Sequence, residues 1–437
     1  MIPMPSSTFP GLHSVLFASK EAAIAHQDVI SDNPKLFSDL ITAISYVLDV
    51  QEDPRLFHAW RVAAVAAAMA EHILPGNVAE VFYAGLLHDV GGMGAFSHII
   101  HYPTLYSQLL RPEVVNHPER GKEIIQGIPG LELCADFVAE HHEWYNGSGY
   151  PYRKAGGDIA PGAQLIRIAD SIDLSRRFRP EVQPEDTAII VQTVSGLEIS
   201  PEVAEAFRLV ISSEEFYREL VDDSRLYGLI ERFESSTSTP IFPPNSDAVS
   251  TVLTVFARVV DSKHGFTAGH SERVSQYSVE ISRAMGLSHV EVTKVKYAGL
   301  LHDAGKVAVP RSIIDKPGPL VGSEIVRVKY HPVLTMDILR NIAHLSELAW
   351  IAGHHHERWD GMGYPDGLRG EEIPLLSRIL AVADALDAIT SPRAYKEKRT
   401  PAEALQILHE EAGSQFDPQV VDAAHSVWGS GRLARAA

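Results

Sequence analysis

The 437-residue sequence predicts an all-α protein built from two tandem copies of one helical domain. Three observations predict it. Apolar residues recur at helical spacing on both sides of a Ser/Thr/Pro-rich stretch. No segment alternates convincingly with period two, so a sheet has no support. The first half also matches the second at a nearly constant register, as a duplicated domain must.

The helical expectation is clearest after Asp247. There AVSTVLTVFARVV places Val252, Val255, Phe256, Val259 and Val260 on one stripe, a core-facing helix. Similar patterns cover Ser271–Met285, Val290–Leu301, Leu345–His356, Ser377–Ile389 and Ala402–Glu410. The connector is ESSTSTPIFPPNS, residues 234–246, which reads as neither helix nor strand. It separates a first domain, 1–233, from a second, 247–437. Between Ser212 and Phe233 lies a further helical stretch without a motif, EEFYRELVDDSRLYGLIERF, placed to join the halves.

The repeat is explicit. AGLLHDVGG around His88 matches AGLLHDAGK around His302, and HHEWYNGSGYP from His141 matches HHERWDGMGYP from His355. LIRIADSID ending at Asp173 matches ILAVADALD ending at Asp387. His88, His117, His141 and Asp170 each lie 214 residues before His302, His331, His355 and Asp384. His58 precedes His270 by 212, and Ser200 precedes Asp417 by 217, drifts that small loop changes accommodate.

Composition narrows the function. Hydrophobic residues at 45% and charged residues at 22% are ordinary for a soluble globular chain. No apolar run reaches the ~18 residues that span a bilayer. The start, MIPMPSSTFPGLHSVLF, has no cationic region before its short apolar stretch, which argues against a signal peptide. A cytoplasmic location without membrane insertion is the expectation. The single cysteine, Cys134, excludes a disulfide framework and a Cys-rich zinc module. With 38 Lys+Arg against 56 Asp+Glu the net charge is −18, which argues against long nucleic acids. The outlier is histidine, with 21 residues.

In the second copy His270, His302, Asp303, His331, His355, His356 and Asp384 fall at or near the ends of expected helices. Five imidazoles and two carboxylates without sulfur suit a pair of divalent transition metals, iron or manganese, with a carboxylate able to bridge them. His355 and His356 are adjacent and project ~100° apart on a helix, so each is expected to face a different ion. Lys306 follows His302 by four residues and shares its face if the helix continues. Asp387 follows Asp384 by three and can orient a liganding imidazole. His354 is expected to face away.

Taken singly, each residue has an ordinary explanation. A His-Asp pair caps a helix, and a lysine is favoured near a helix C-terminus. Asp384, however, sits inside the apolar run ILAVADALD, where an unpaired buried carboxylate is costly. The recurrence of the whole set in both halves decides for metal.

These residues resemble the HD superfamily of metal phosphohydrolases, and the second half is similar to its HD-GYP branch. The likeness runs through HSERV, LLHDAGKVAVP, the His331-Pro332 step, HHERWDGMGYPDGLRGEEIP, RILAVADALDAITSPRAYK and FDPQVV. It implies two tandem HD-type helical domains, with the seven residues as ligands of two divalent ions and Asp303 bridging them. It makes Lys306 and Asp303 catalytic and brings Tyr364, Arg393 and Lys396 to the guanine or phosphates. Phe266 stands where some members carry a glutamate for a third metal, which favours two. The implied reaction is metal-assisted hydrolysis of a cyclic dinucleotide, cyclic di-GMP or 3′,3′-cyclic GMP-AMP, to a linear dinucleotide. Two divalent ions with Lys306, Arg393 and Lys396 reverse the acidic field at this one place.

The alternatives are a nucleotide phosphohydrolase of the wider HD superfamily, or a cyclic-dinucleotide sensor or interaction module. The GYP loop with Arg393 and Lys396 disfavours the first, and Lys306 disfavours the second for this half. In the first copy His58, His88, Asp89, His117, His141, His142 and Asp170 reproduce every ligand type, a possible second metal site. Tyr150 and Arg179 match Tyr364 and Arg393. Gly92 replaces Lys306, Val182 replaces Lys396, and YRKAGGDIAPG departs from DGLRGEEIP. The first copy is therefore expected to be a divergent, non-catalytic or weakly active domain that packs against the second.

Overall fold

The computed structural model describes residues 34–49, 57–93, 102, 104–178, 184–236, 248–262, 269–316, 318–340, 342, 345–391 and 399–429. The chain divides into two compact units, Met1–Ala248 and Val249–Ala437. Both are helical, as expected. Among the described residues the only strand-like pairings are the isolated bridges Ser195–Ile199 and Ala412–Phe416. No described helix is long and apolar enough to cross a membrane.

The helices of the second unit span Ala248–Ser262, His270–Ala284, His289–Leu301, Arg311–Ile314, Ser323–Lys329, His331–Arg340, Ser346–Gly353, Leu375–Thr390, Pro401–Glu410 and Pro418–Gly429. The stripe Val252, Val255, Phe256, Val259 and Val260 is buried. Each such side chain contributes roughly 1.5–3 kcal/mol on leaving water. Local chemistry sets the ends. Gly286, at φ 75°, follows the His270 helix, and Ser288 forms a capping box with Glu291 at the next start.

One expected helix is too long. The reading Leu345–His356 is corrected to Ser346–Gly353, so all three histidines 354–356 lie beyond the helix in a turn. The start of the connector is also helical, because the helix Asp223–Ser236 runs on through Glu234, which is buried and accepts a hydrogen bond from the Thr42 hydroxyl. Residues 237–247 lie outside the described residues. The motif-free stretch before it is two helices, Glu214–Val221 and Asp223–Ser236, broken where the Asp222 carboxylate accepts from Ser224 N at 3.0 Å.

Two backbone features place the site. A Cβ on Gly299 would lie 2.8 Å from Ser275 Cα, so only glycine lets the His289 and His270 helices approach this closely. Gly85 meets Ala63 Cα at 2.7 Å in the first unit, where the helices are His58–Ile73 and Val78–Leu87. The His270 helix starts after Gly269 at φ 69°; its matching position is Phe57, held at φ 76°. Burial of Phe57 against Trp60, with ring centroids 4.9 Å apart, offsets a strain of order 1–3 kcal/mol.

Candidate metal centre

The ligand candidates sit at helix ends because their rings satisfy helix ends. The last carbonyls of a helix have no intrahelical partner. His302 Nδ1 pairs with Gly299 O at 2.8 Å, His331 Nδ1 with Val328 O at 2.6 Å, and His355 Nδ1 with Ala352 O at 2.5 Å. Each carbonyl belongs to the last turn of the preceding helix. A carbonyl only accepts, so the proton is assigned to Nδ1 and Nε2 is left with its lone pair. These three Nε2 atoms are buried and make no hydrogen bond. His270 is set differently, with Nδ1 2.7 Å from Asp387 Oδ2.

The structure brings all seven residues together. His270, His302 and Asp384 form one set and His331, His355 and His356 another, with the donor atoms of each within 4.8 Å of one another. Asp303 stands between them. Its Oδ2 lies 3.5 Å from both His270 Nε2 and His302 Nε2, while Oδ1 lies 3.3 Å from His331 Nε2. One carboxylate thus presents an oxygen to each set. Oδ1 of Asp303 is buried without a hydrogen bond, and an array of orphaned imidazole and carboxylate donors fits divalent transition metals.

Two expectations are corrected here. His355 and His356 do not diverge along a helix; their centroids are 4.0 Å apart and both join the His331 set, while His355 also lies with His302 and Asp303. Lys306 does not continue the helix of His302, which ends at Leu301. It sits in a 3-10 turn, Ala304–Ala308, and pairs with the Asp303 carboxylate. That turn needs Gly305, since a Cβ there would lie 2.1 Å from His331 O. Asp387 does orient an imidazole, and His354 faces away, bonded to Trp350 O and Asp366.

Electrostatics keep the ligands in their binding forms. Burial pushes His302 down and His355 well below the usual imidazole range, and it takes His356 down to about 3. Burial acts upward on Asp303, but His302 and Lys306 outweigh it and hold the carboxyl well below its usual range. His270 is the exception. Burial lowers it, yet hydrogen bonds to Asp303 and Asp387 raise it to about 10.

Tyr364 stacks on His356 at 4.9 Å, and the Lys329 ammonium stands 5.0 Å over its ring. Lys329 was missed by sequence reasoning. Glu357 was missed too; its Oε1 accepts from Asp366 N at 2.7 Å and Gly367 N at 3.0 Å, which shapes the loop carrying Tyr364. Its recurrence as Glu143 beside the paired histidines was an available signal. Arg393, Lys396, Phe266, Arg179 and Val182 lie outside the described residues.

The first copy repeats the arrangement. His58, His88 and Asp170 form one set and Asp89, His117, His141 and His142 the other. His58 Nδ1 lies 2.8 Å from Asp173, and Asp89 presents its two oxygens to His88 and His117 at 3.6 and 3.2 Å.

Comparison with known proteins agrees with this duplication. The profile of the HD domain family matches residues 26–189 and again 254–420. The chain is 31% identical over 301 residues to 3′3′-cGAMP-specific phosphodiesterase 3 of Vibrio cholerae, covering 69% of this chain and 64% of that protein. It is 30% identical over 356 residues to 3′3′-cGAMP-specific phosphodiesterase 1 of that organism, covering 78% and 80%. It is 43% identical over 173 residues to the cyclic di-GMP phosphodiesterase response regulator RpfG of Xanthomonas campestris, covering 39% and 46%. The chain thus spans less than two thirds of two of these three relatives. The crystal structure of a cyclic GMP-AMP specific phosphodiesterase of V. cholerae superposes with TM-score 0.61 at 24% identity, covering 90% of this chain and 97% of that one. That likeness concerns the fold.

Proposed function

The chain belongs to the HD domain family, and from that premise we propose that its second copy is a metal-dependent phosphodiesterase. It hydrolyses a cyclic dinucleotide, cyclic di-GMP or 3′,3′-cyclic GMP-AMP, to the linear dinucleotide. One observation carries the reading. Asp303 turns one oxygen to each of two imidazole sets and holds the Lys306 ammonium against the same carboxylate. The activities of the similar proteins support it.

The residues that would hold the metals are His270, His302 and Asp384 on one side, His331, His355 and His356 on the other, and Asp303 between. Iron or manganese suits these donors. When bound, two divalent ions polarise phosphoryl oxygens and lower the pKa of water. The remaining work falls to the chain. Lys306, half-buried at the site, offers positive charge to phosphoryl oxygens as the negative charge of the transition state develops. Tyr364, stacked on His356, offers an aromatic ring for a base, and Lys329 near it offers a cation for a phosphate. By the family resemblance, Arg393 and Lys396 are expected to contact the same substrate.

The test is product chromatography on cyclic di-GMP, 3′,3′-cyclic GMP-AMP and mononucleotides. Asp303→Ala is expected to abolish linear dinucleotide formation, while Asp89→Ala leaves most of it. Full activity in the Asp303 variant overturns the assignment. Loss of turnover in a folded Asp89 variant overturns its confinement to the second copy.

A further inference from the structure

The first copy carries an observation that hydrolysis in the second leaves unexplained. His88 and His142 are 0% and 1% exposed, and Nε2 of each makes no hydrogen bond. A residue kept only for packing has no reason to bury an unpaired nitrogen. The rings are also set as ligands. His88, His117 and His141 direct Nδ1 at Gly85 O, Val114 O and Val138 O, at 2.9, 2.6 and 2.6 Å. The donor atoms of Asp89, His117, His141 and His142 lie within 4.8 Å of one another, as do those of His58, His88 and Asp170.

Access to this cluster differs from that in the second copy. Tyr150, the counterpart of Tyr364, is 2% exposed, and its hydroxyl donates to Gln108 Oε1 at 3.1 Å. Gln108 in turn donates to Tyr102 O at 2.9 Å. The ring that is half open at Tyr364 is here buried, with its hydroxyl held by Gln108 of the helix Leu105–Leu109. Asp170 is 1% exposed, whereas the side chain of its counterpart Asp384 is 19% exposed. The charge differs as well. Gly92 stands where the second copy has Lys306, and the side chain of Asp89 is 18% exposed against 3% for Asp303. Among the described residues a nearby cation is Arg167, where the second copy has Ala381. Its guanidinium lies 3.5 Å from His142 Nδ1, but it is tied to Glu198 at 2.6 Å and packed over Trp144 at 5.6 Å. The Glu198 carboxylate offsets its charge and turns it away from the role that Lys306 has in the second copy.

We propose that the first copy is a second, closed metal centre: it binds divalent transition-metal ions that brace its own domain and admits no cyclic dinucleotide. The ions supply partners to the Nε2 atoms of His88 and His142 and add a tie between helices that already share the His58–Asp173 and Arg61–Asp173 contacts. Arg167 stands where the second copy has Ala381, and Gln108, which holds the Tyr150 hydroxyl, where it has Gly322.

The experiment uses the full chain with the second centre removed by His302→Ala and Asp303→Ala, so its outcome is independent of the activity assigned above. After metal loading and dialysis, this variant is expected to retain a pair of ions by elemental analysis. Chelator is expected to lower its thermal unfolding midpoint. Calorimetry with cyclic di-GMP and with 3′,3′-cyclic GMP-AMP is expected to show no binding. Adding His88→Ala and His142→Ala should remove both the ions and the chelator effect. A metal-free parent variant, an unfolding midpoint unmoved by chelator, ions that persist after the added substitutions, or nucleotide binding would each overturn the proposal. If the fourfold variant fails to fold, the chelator comparison on the parent variant decides alone.

Discussion

Asp387→Asn separates the positioning of a ligand from the chemistry at the site. The Asp387 carboxylate faces only donors: His270 Nδ1 at 2.7 Å, Arg273 Nε at 2.5 Å and Nη2 at 3.1 Å, and Ser391 Oγ at 3.1 Å. Burial pushes this carboxyl up, but His270 and Arg273 outweigh it and hold it at about 2, so it is an anion at neutral pH. Asparagine keeps the shape, yet one oxygen becomes an amide donor set against His270 or Arg273. The imidazole loses either its orientation or the negative charge that raises its basicity. Partners of this kind are worth 10–100-fold in metal affinity, or ~1.4–2.7 kcal/mol at 1.36 kcal/mol per tenfold. The assay titrates metal into the stripped protein against a chelating dye, then measures initial rates along the titration. Activity is expected to fall at limiting metal and to recover at saturation. A titration superimposable on wild type refutes the orienting role. Persistent inactivity at saturation refutes its limitation to metal affinity.

Lys306→Ala should behave oppositely, keeping its metal content while kcat falls ~10²–10³-fold, the ~2.7–4 kcal/mol of one preorganised donor. Unchanged kcat would remove Lys306 from the chemistry. Lys329→Ala should raise KM with little change in kcat, by an amount matching ~0.5–2 kcal/mol for a cation over a ring; steady-state kinetics at saturating metal reads the split. The stripped protein should lose stability as pH falls from about 6.5. Burial holds His141 and His356 at about 3, below the ordinary 6.5, so their contribution is complete above pH 6.5 and fades toward 3. Urea midpoints in chelator at pH 7.5 and 5 measure this, and an equal or higher midpoint at pH 5 contradicts it.

The helices that the sequence makes legible have both helical periodicity and recognisable ends. His270–Ala284 and His289–Leu301 land within one residue of expectation, with Gly286 and the Ser288–Glu291 capping box marking the boundary between them. The failures share a cause. His354–His356 continue an apolar pattern, yet Nδ1 of His355 needs the carbonyl of Ala352 at the helix end, so the helix must stop before it. Propensity cannot register a bond made by the ligand itself. Lys306 was placed by helical spacing, while a 3-10 turn admitted by Gly305 aims it instead at Asp303. Lys329 had no signal at all. It is a cation in a short helix, with Val115 as its counterpart, and only folding brings it over Tyr364.

These contacts also bear on how the two copies come to differ. In both copies the ligand tautomers are fixed mainly by backbone carbonyls at helix ends, at Gly85, Val114 and Val138 or at Gly299, Val328 and Ala352. Backbone partners survive side-chain substitution, so the imidazole array persists for as long as the helices do. Charge and access rest on single side chains: Lys306 against Gly92, Ala381 against Arg167, and an open Tyr364 against a Tyr150 covered by Gln108. Each of those changes with one substitution and leaves the helix ends untouched. The imidazole array is therefore the durable feature of this fold, and the charge and access around it the fragile one. A copy that holds ions without turning over substrate, as proposed for the first, needs no change at the helix ends.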